Sequence, residues 1–88
     1  MIVNVARGSL IDEDALVAAL KAGRLWRAAL DVFAQEPTPA EAWADVPNAV
    51  LTPHTAGSSN EAVPLMVAQA IDNVQRFLAG EDLASPVA

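Results

Sequence analysis

Cysteine is absent from this 88-residue sequence, histidine occurs once, and basic residues are few. Without cysteine, neither a disulfide framework nor a thiolate metal site is available, and we expect no metal centre. The 5 Lys and Arg residues oppose 11 Asp and Glu, for a formal net charge of −6. This balance argues against nucleic acid or an anionic membrane as the main partner. No apolar run approaches the roughly 20 residues of a membrane span and no signal-peptide pattern is present, so the expected compartment is the cytoplasm.

Hydrophobic residues make up 53 % of the chain and fall into three short apolar runs and two helical patterns. The runs cover residues 2–6, 28–33 and 49–51, and each reads as a buried strand. A helix between the first two strands predicts a βαβ unit, which requires a parallel pair and a right-handed crossover. The predicted order is β, α, β, loop, β, α, in an α/β fold with about three parallel strands and a long C-terminal helix.

The helical patterns have clear ends. Asp12 followed by two acidic residues is typical of a helix start, and Gly23 predicts its end. In the second pattern, a capping box of Ser58 and Glu61 is expected. Pro64 leaves two alternatives open, a helix that starts near residue 60 with this proline in its first turn, or a late, kinked helix. We expect the apolar stripe of this helix to be core: Val63, Met66, Val67, Ala70, Ile71, Val74, Phe77 and Leu78.

The proline-rich segment between residues 34 and 48 predicts a loop with at most one turn around residues 41–43. Trp43 lies in that turn. A lone tryptophan more often packs than binds a ligand, so we expect Trp43 to fill a surface cleft in the loop.

Three polar residues follow the three apolar runs, namely Arg7, Asp31 and His54. Each has an ordinary structural interpretation: Arg7 could pair with a surface acid, Asp31 could cap a loop, and His54 could be a satisfied structural histidine. The carboxyl ends of parallel strands meet at one edge, where open α/β sheets bind ligands. The three side chains together therefore favour a shared site.

The chemistry of this set suits a 2-oxo or 2-hydroxy acid. A guanidinium presents a planar fork to a carboxylate. An imidazole can exchange a proton with a carbonyl or hydroxyl oxygen near neutral pH. A carboxylate beside the imidazole would hold one ring nitrogen, and Glu36, in the loop after the second strand, is the natural candidate.

Several segments together resemble the D-isomer-specific 2-hydroxyacid dehydrogenases in their order and spacing. They are IVNVARGSLIDEDAL at residues 2–16, ALDVF at residues 29–33 with Glu36-Pro37, Pro47-Asn48, and Thr52-Pro53-His54. The resemblance covers nearly the whole chain. It implies a partial Rossmann-like fold and an NAD- or NADP-dependent oxidoreductase that acts on a small 2-oxo or 2-hydroxy acid such as glyoxylate or hydroxypyruvate.

The resemblance also implies roles for individual residues. Arg7 matches the arginine that binds the substrate carboxylate, His54 the acid/base, and Glu36 the carboxylate that orients it. Asp31 matches the residue that faces the nicotinamide carboxamide. Two further positions line the nicotinamide side of the pocket, together with His54: Ala6 and Gly57.

One departure from the family pattern is large, because the sequence contains no GxGxxG loop for the dinucleotide phosphates. The chain thus resembles the C-terminal half of a dinucleotide-binding domain, with residues 60–88 as the helix and tail that return toward a substrate domain. We expect such a fragment to be inactive alone and to form homo-oligomers. The alternative functions are a non-catalytic, NAD-binding corepressor-like protein and a truncated interaction module on the same scaffold.

Overall fold

The computed structural model describes residues 1–86. Its strands are β1 (Ile2–Asn4), β2 (Ala28–Leu30) and β3 (Ala49–Leu51), and its α-helices are α1 (Glu13–Lys21) and α2 (Ala62–Ala79). Two short 3₁₀ helices cover Gly8–Leu10 and Ala40–Ala42. The chain divides into one compact unit at residues 1–56 and a second that begins at Gly57.

The strands form a parallel sheet in the order β1-β2-β3, in residues 1–86. Ile2 pairs with Ala28 and Ala28 with Ala49, so the three strands lie in register. The prediction of an α/β fold with about three parallel strands is confirmed. β1 and β2 are shorter than their apolar runs, whereas β3 matches the run at residues 49–51. After β1, the Ala6 amide binds the Asn4 side chain at 3.1 Å instead of a neighbouring strand.

Helix α1 begins and ends where the sequence predicts. The Asp12 side chain accepts a hydrogen bond from the Ala15 amide at 3.0 Å, and this contact caps the first turn. Gly23 follows the helix with φ of 70°, a left-handed conformation that glycine adopts without steric cost. Leu16 and Leu20 of α1 are almost fully buried against Ala28 and Leu30 of β2.

The two faces of the sheet differ. One is covered by α1 and forms the core. On the other, Val3 and Val50 remain 59 % and 55 % exposed.

Trp43 does not fill a surface cleft, and that prediction is wrong. The side chain is 6 % exposed and belongs to the core cluster with Leu16, Leu20 and Leu30. Its ring meets Phe33 edge to face, with 5.8 Å between ring centroids. The turn at Ala40–Ala42 points the indole inward, which the proline-rich loop sequence does not reveal.

In the second unit, α2 starts at Ala62, and Pro64 lies in its first turn as in the first of the two alternatives. The expected capping box is replaced by a neighbouring contact, since the Ser59 hydroxyl accepts from the Ala62 amide at 2.9 Å. The stripe expected to be core is exposed, and no residue of α2 is buried within the described part of the chain. This unit is one helix with a short tail, so it has no second layer of its own to cover the stripe.

Candidate active site

Three loops leave the carboxyl edge of the sheet and carry the candidate side chains. Arg7 lies three residues after β1, Asp31 directly follows β2, and His54 lies three residues after β3. Arg7, Glu36 and His54 line one cleft of about 460 Å³, with Phe33. The structure therefore brings three of the predicted site residues together, while Asp31 lies beneath the loop that carries His54.

Asp31 holds the loop that follows β3. Its side chain is 3 % exposed, and Oδ1 accepts from Thr52 Oγ1 at 2.5 Å and from the Thr55 amide at 2.8 Å. Oδ2 accepts from the Ala56 amide at 2.9 Å. These contacts lower the pKa of Asp31 from 3.8 to about 2, and the hydrogen bond from the Thr52 hydroxyl makes the largest contribution. Asp31 is thus a carboxylate at neutral pH, and it fixes the backbone on the C-terminal side of His54.

His54 has a left-handed backbone with φ of 55°. This conformation costs roughly 1–3 kcal/mol in a residue with a Cβ atom, and it persists because the surrounding contacts hold it. The His54 amide donates to Thr52 O at 3.0 Å, on the N-terminal side, while Asp31 holds the next two amides. The imidazole Nδ1 lies 2.5 Å from Glu36 Oε2.

Each oxygen of the Glu36 carboxylate has a partner. Oε1 accepts from the Phe33 amide at 3.0 Å, and Oε2 meets His54. The hydrogen bond with His54 and then that from Phe33 lower the pKa of Glu36, and the nearby positive charge of Arg7 adds a smaller contribution. Because Nδ1 is held by the carboxylate, Nε2 is left as the ring atom that can exchange a proton with a ligand.

Arg7 belongs to a turn that Asn4 organises. Asn4 is 6 % exposed, donates to Arg7 O at 2.9 Å and accepts from the Ala6 amide. The guanidinium Nη1 donates to Ala6 O at 2.7 Å. The remaining N–H groups of Arg7 are available to an anion in the cleft. Both backbone groups of Ala6 are thus engaged locally.

A second cavity of about 390 Å³ also borders the Glu36–His54 pair. It is lined by apolar and polar groups from two loops: Phe33, Pro37, Thr38 and Pro53, with the pair itself. The peptide bond between Glu36 and Pro37 is cis.

Gly57 starts the second unit, in the turn that precedes α2. The Met66 sulfur lies 3.7 Å from the position that a Cβ atom on Gly57 would take. Its contact with a cofactor stays a prediction.

Sequence reasoning missed four residues that shape the site: Asn4, Gly8, Glu13 and Thr52. Asn4 carries a usable signal, because it is a polar side chain within a β-branched run. Gly8 is buried against the Phe33 carbonyl, and Glu13 Oε1 accepts from the Ala34 amide. Contacts of this kind join residues more than 20 positions apart and leave no local pattern.

Among residues 1–86, no group of three or more His, Cys, Asp or Glu side chains is arranged to hold a metal ion. Neither helix in this part of the chain is long and apolar enough to cross a bilayer.

The fold and the site define a class of protein. Residues 1–56 match the family model of the D-isomer specific 2-hydroxyacid dehydrogenase, NAD binding domain. That match spans more than half of the chain, and the chain belongs to this family.

Individual relatives agree with the family assignment. The chain is 46 % identical over 85 residues to a glycerate dehydrogenase of Methylorubrum extorquens, covering 92 % of this chain and 27 % of that protein. It is 42 % identical to a glyoxylate/hydroxypyruvate reductase B of Pectobacterium carotovorum, covering 92 % and 26 %. The chain thus spans about a quarter of the length of these relatives.

A solved structure gives the same result for the fold. It is the NADPH-dependent glyoxylate/hydroxypyruvate reductase of Sinorhizobium meliloti in complex with NADP and malonate. The TM-score is 0.75 at 40 % identity, and the match covers 99 % of this chain and 28 % of that one.

Proposed function

We propose that this chain supplies the acid/base side of an NAD- or NADP-dependent 2-hydroxyacid dehydrogenase, acting on a small 2-oxo acid such as glyoxylate or hydroxypyruvate. The observation that carries the proposal is the pair of His54 Nδ1 and Glu36 Oε2 at 2.5 Å, in one cleft with Arg7. The names of the relatives from M. extorquens and S. meliloti support the substrate class.

Each of the three side chains has a distinct task. The Arg7 guanidinium binds the substrate carboxylate and polarises the neighbouring carbonyl. His54 gives a proton from Nε2 to that carbonyl oxygen during reduction, and takes it back during oxidation. Glu36 holds Nδ1, so that the ring keeps its orientation through both steps.

The nicotinamide supplies the hydride when it is bound. The residues at the sheet edge fit its carboxamide, because the Asp31 carboxylate has about four acceptor positions, of which three are used by Thr52, Thr55 and Ala56. Asp31 borders a cavity of about 90 Å³ within residues 1–86, and in this proposal its remaining acceptor position takes an amide N–H. By the same resemblance, we propose Ala6 and Gly57 as further cofactor-binding residues.

The dinucleotide phosphates need backbone amides from a glycine-rich turn and a helix N-terminus, and the sequence contains no GxGxxG. We therefore propose that residues 1–88 act as the C-terminal part of a dinucleotide-binding domain, with residues 60–88 as the helix and tail that return toward a substrate domain. The 88 residues alone should not catalyse hydride transfer.

The proposed assembly is a homo-oligomer in the cytoplasm. Support for the oligomer comes from the exposed apolar side chains on the open sheet face, since patches of this kind mark association surfaces. Support for the compartment comes from the composition.

The test is a chimera in which these 88 residues replace the matching segment of the M. extorquens glycerate dehydrogenase. We expect it to oxidise NADH or NADPH with hydroxypyruvate or glyoxylate. His54→Asn should lower kcat on the order of 10²–10⁴-fold, the usual yield of general acid–base catalysis. Lys21→Ala is the control, because it removes only an exposed ion pair with Asp45 and should leave turnover unchanged.

A chimera that is folded and binds NADH, yet keeps its full rate after His54→Asn, would contradict the proposal. So would turnover by the isolated 88-residue chain at the rate of an ordinary dehydrogenase.

A further inference from the structure

The turn from Phe33 to Glu36 presents two successive backbone amides, and a different glutamate holds each one. The Phe33 amide donates to Glu36 Oε1 at 3.0 Å, a contact within the turn. The next amide, that of Ala34, donates to Glu13 Oε1 at 2.5 Å, across 21 residues of sequence. Glu13 thus ties the segment that carries Glu36 to another element of the fold.

That element is rigid enough to serve as an anchor. Glu13 is the first residue of α1, one position after its cap Asp12. The helix packs Leu16 and Leu20 almost completely into the core. The packing of α1 therefore holds the Glu13 backbone in place. The hydrogen bond between the Glu13 carboxylate and the Ala34 amide then fixes the turn relative to the helix.

The ordinary interpretation of an acidic residue at this place is electrostatic. Carboxylates in the first turn of a helix interact favourably with its macrodipole, and Glu13 and Asp14 both occupy that turn. The dipole accounts equally for both residues. It does not account for the contact with Ala34, which Glu13 alone makes.

We propose that Glu13 is a positioning residue, whose carboxylate fixes the Phe33–Glu36 turn so that Glu36 meets His54 Nδ1. The catalytic meaning of this contact rests on the proposed function. The contact itself, and its effect on Glu36, do not.

The first test uses the full 88-residue chain without any substitution, labelled for NMR. The chemical shift of the Ala34 amide should change in step with protonation of the Glu13 carboxyl, because that oxygen accepts its hydrogen. The amide should not follow Asp14. An Ala34 amide that is insensitive to the Glu13 titration would overturn the proposal, whatever the catalytic activity.

The second test compares three variants. Glu13→Ala removes the acceptor, so the turn loosens, the contact between Glu36 and His54 weakens, and the pKa of Glu36 rises toward its ordinary value. Glu13→Gln keeps an acceptor oxygen and should leave the Glu36 titration as in the unchanged chain. Asp14→Ala is the matched control, since it removes an exposed carboxylate from the same turn.

Two results of this comparison would overturn the proposal. One is a Glu36 titration that is unchanged in Glu13→Ala. The other is a Glu13→Gln variant that departs from the unchanged chain. If Glu13→Ala does not fold, the glutamine variant and the Ala34 titration still decide.

Kinetics in the chimera separate this proposal from the proposed function. Glu13→Ala should lower kcat and kcat/KM together, on the order of 10–100-fold, because a displaced catalytic pair is felt in the transition state. KM should change little, and Glu13→Gln should restore the rate. A chimera that never turns over, with the NMR results as expected, would remove the proposed function and leave the positioning role in place. Full kcat in Glu13→Ala would overturn the positioning role.

Discussion

Replacing Gly8 with alanine tests whether the backbone around the cleft is as closely packed as its geometry indicates. A Cβ atom on Gly8 would lie 2.0 Å from Phe33 O, 2.1 Å from Phe33 C and 2.6 Å from Ala34 N. All three are backbone atoms, so no side-chain rotation can relieve the overlap. The Gly8 and Phe33 segments must move apart.

The size of the effect follows from these distances. Non-bonded heavy atoms are comfortable at about 3.5 Å, so a contact of 2.0 Å requires a displacement of about 1.5 Å. Overpacking of this kind costs about 1–3 kcal/mol in the free energy of unfolding. Arg7 precedes the affected residue and Glu36 follows Phe33 by three positions. A displacement of about 1 Å at a catalytic group can cost on the order of 10²-fold in rate.

Gly23 provides the matched control. It has φ of 70° and open space around it, so Gly23→Ala costs about 1–2 kcal/mol through backbone strain without moving the cleft. Both variants of the chimera should melt several degrees lower, but only Gly8→Ala should lose kcat/KM. Equal kinetic losses in the two variants would show that general destabilisation, and not displacement of the site, is responsible. Unchanged kcat/KM in Gly8→Ala would refute the reasoning directly.

Three further predictions concern the stability of the protein in acid, the packing of Trp43 in the core, and the binding of the substrate carboxylate by Arg7. The stabilising contribution of Asp31 should be complete above its ordinary pKa of 3.8 and disappear as pH falls toward about 2. Unfolding followed by circular dichroism should therefore show that the free energy of unfolding of Asp31→Asn varies less with pH in that range than that of the unchanged chain. An equal pH dependence in the two proteins would refute this. Trp43→Ala should lower the free energy of unfolding by about 3–5 kcal/mol. Trp43→Phe should lower it by less, because phenylalanine keeps an aromatic ring there while removing the indole N–H that is buried without a partner in residues 1–86. Equal losses for the two variants in denaturant melts would contradict that difference. Arg7→Lys in the chimera should raise KM for the oxo acid more than KM for NADH, because it removes the planar fork; steady-state kinetics with equal changes would argue against Arg7 as the carboxylate ligand.

Local signals made much of the fold predictable. The acidic start at Asp12 and the stop at Gly23 bound α1 because capping and left-handed backbone depend on residues a few positions apart. The apolar runs indicate all three strands correctly, but the runs at residues 2–6 and 28–33 are longer than β1 and β2. After β1, the Asn4 side chain accepts a hydrogen bond from the Ala6 amide, which therefore does not pair with a neighbouring strand. Trp43 was placed at the surface because its neighbour Phe33 is ten residues away, and burial of that kind is decided by tertiary packing.

The candidate site was likewise predictable only in part. The pattern of polar residues after three apolar runs indicated Arg7, Asp31 and His54, and the strand order places their loops at one edge. What the pattern could not reveal is that Asp31 accepts hydrogen bonds from the Thr52 hydroxyl before His54 and from the Thr55 and Ala56 amides after it. Such contacts depend on the loop conformation, which the residue types alone do not define.

Because one face of the sheet is open, the stability of this chain depends on which molecules cover that face. Val3, Val5 and Val50 are each more than half exposed on the sheet or at its edge. Any molecule that covers them in the folded state alone adds RT ln(1 + [L]/Kd) to the free energy of unfolding. If other copies of the chain do so, the melting temperature becomes a function of protein concentration, and one number no longer describes the stability of these 88 residues.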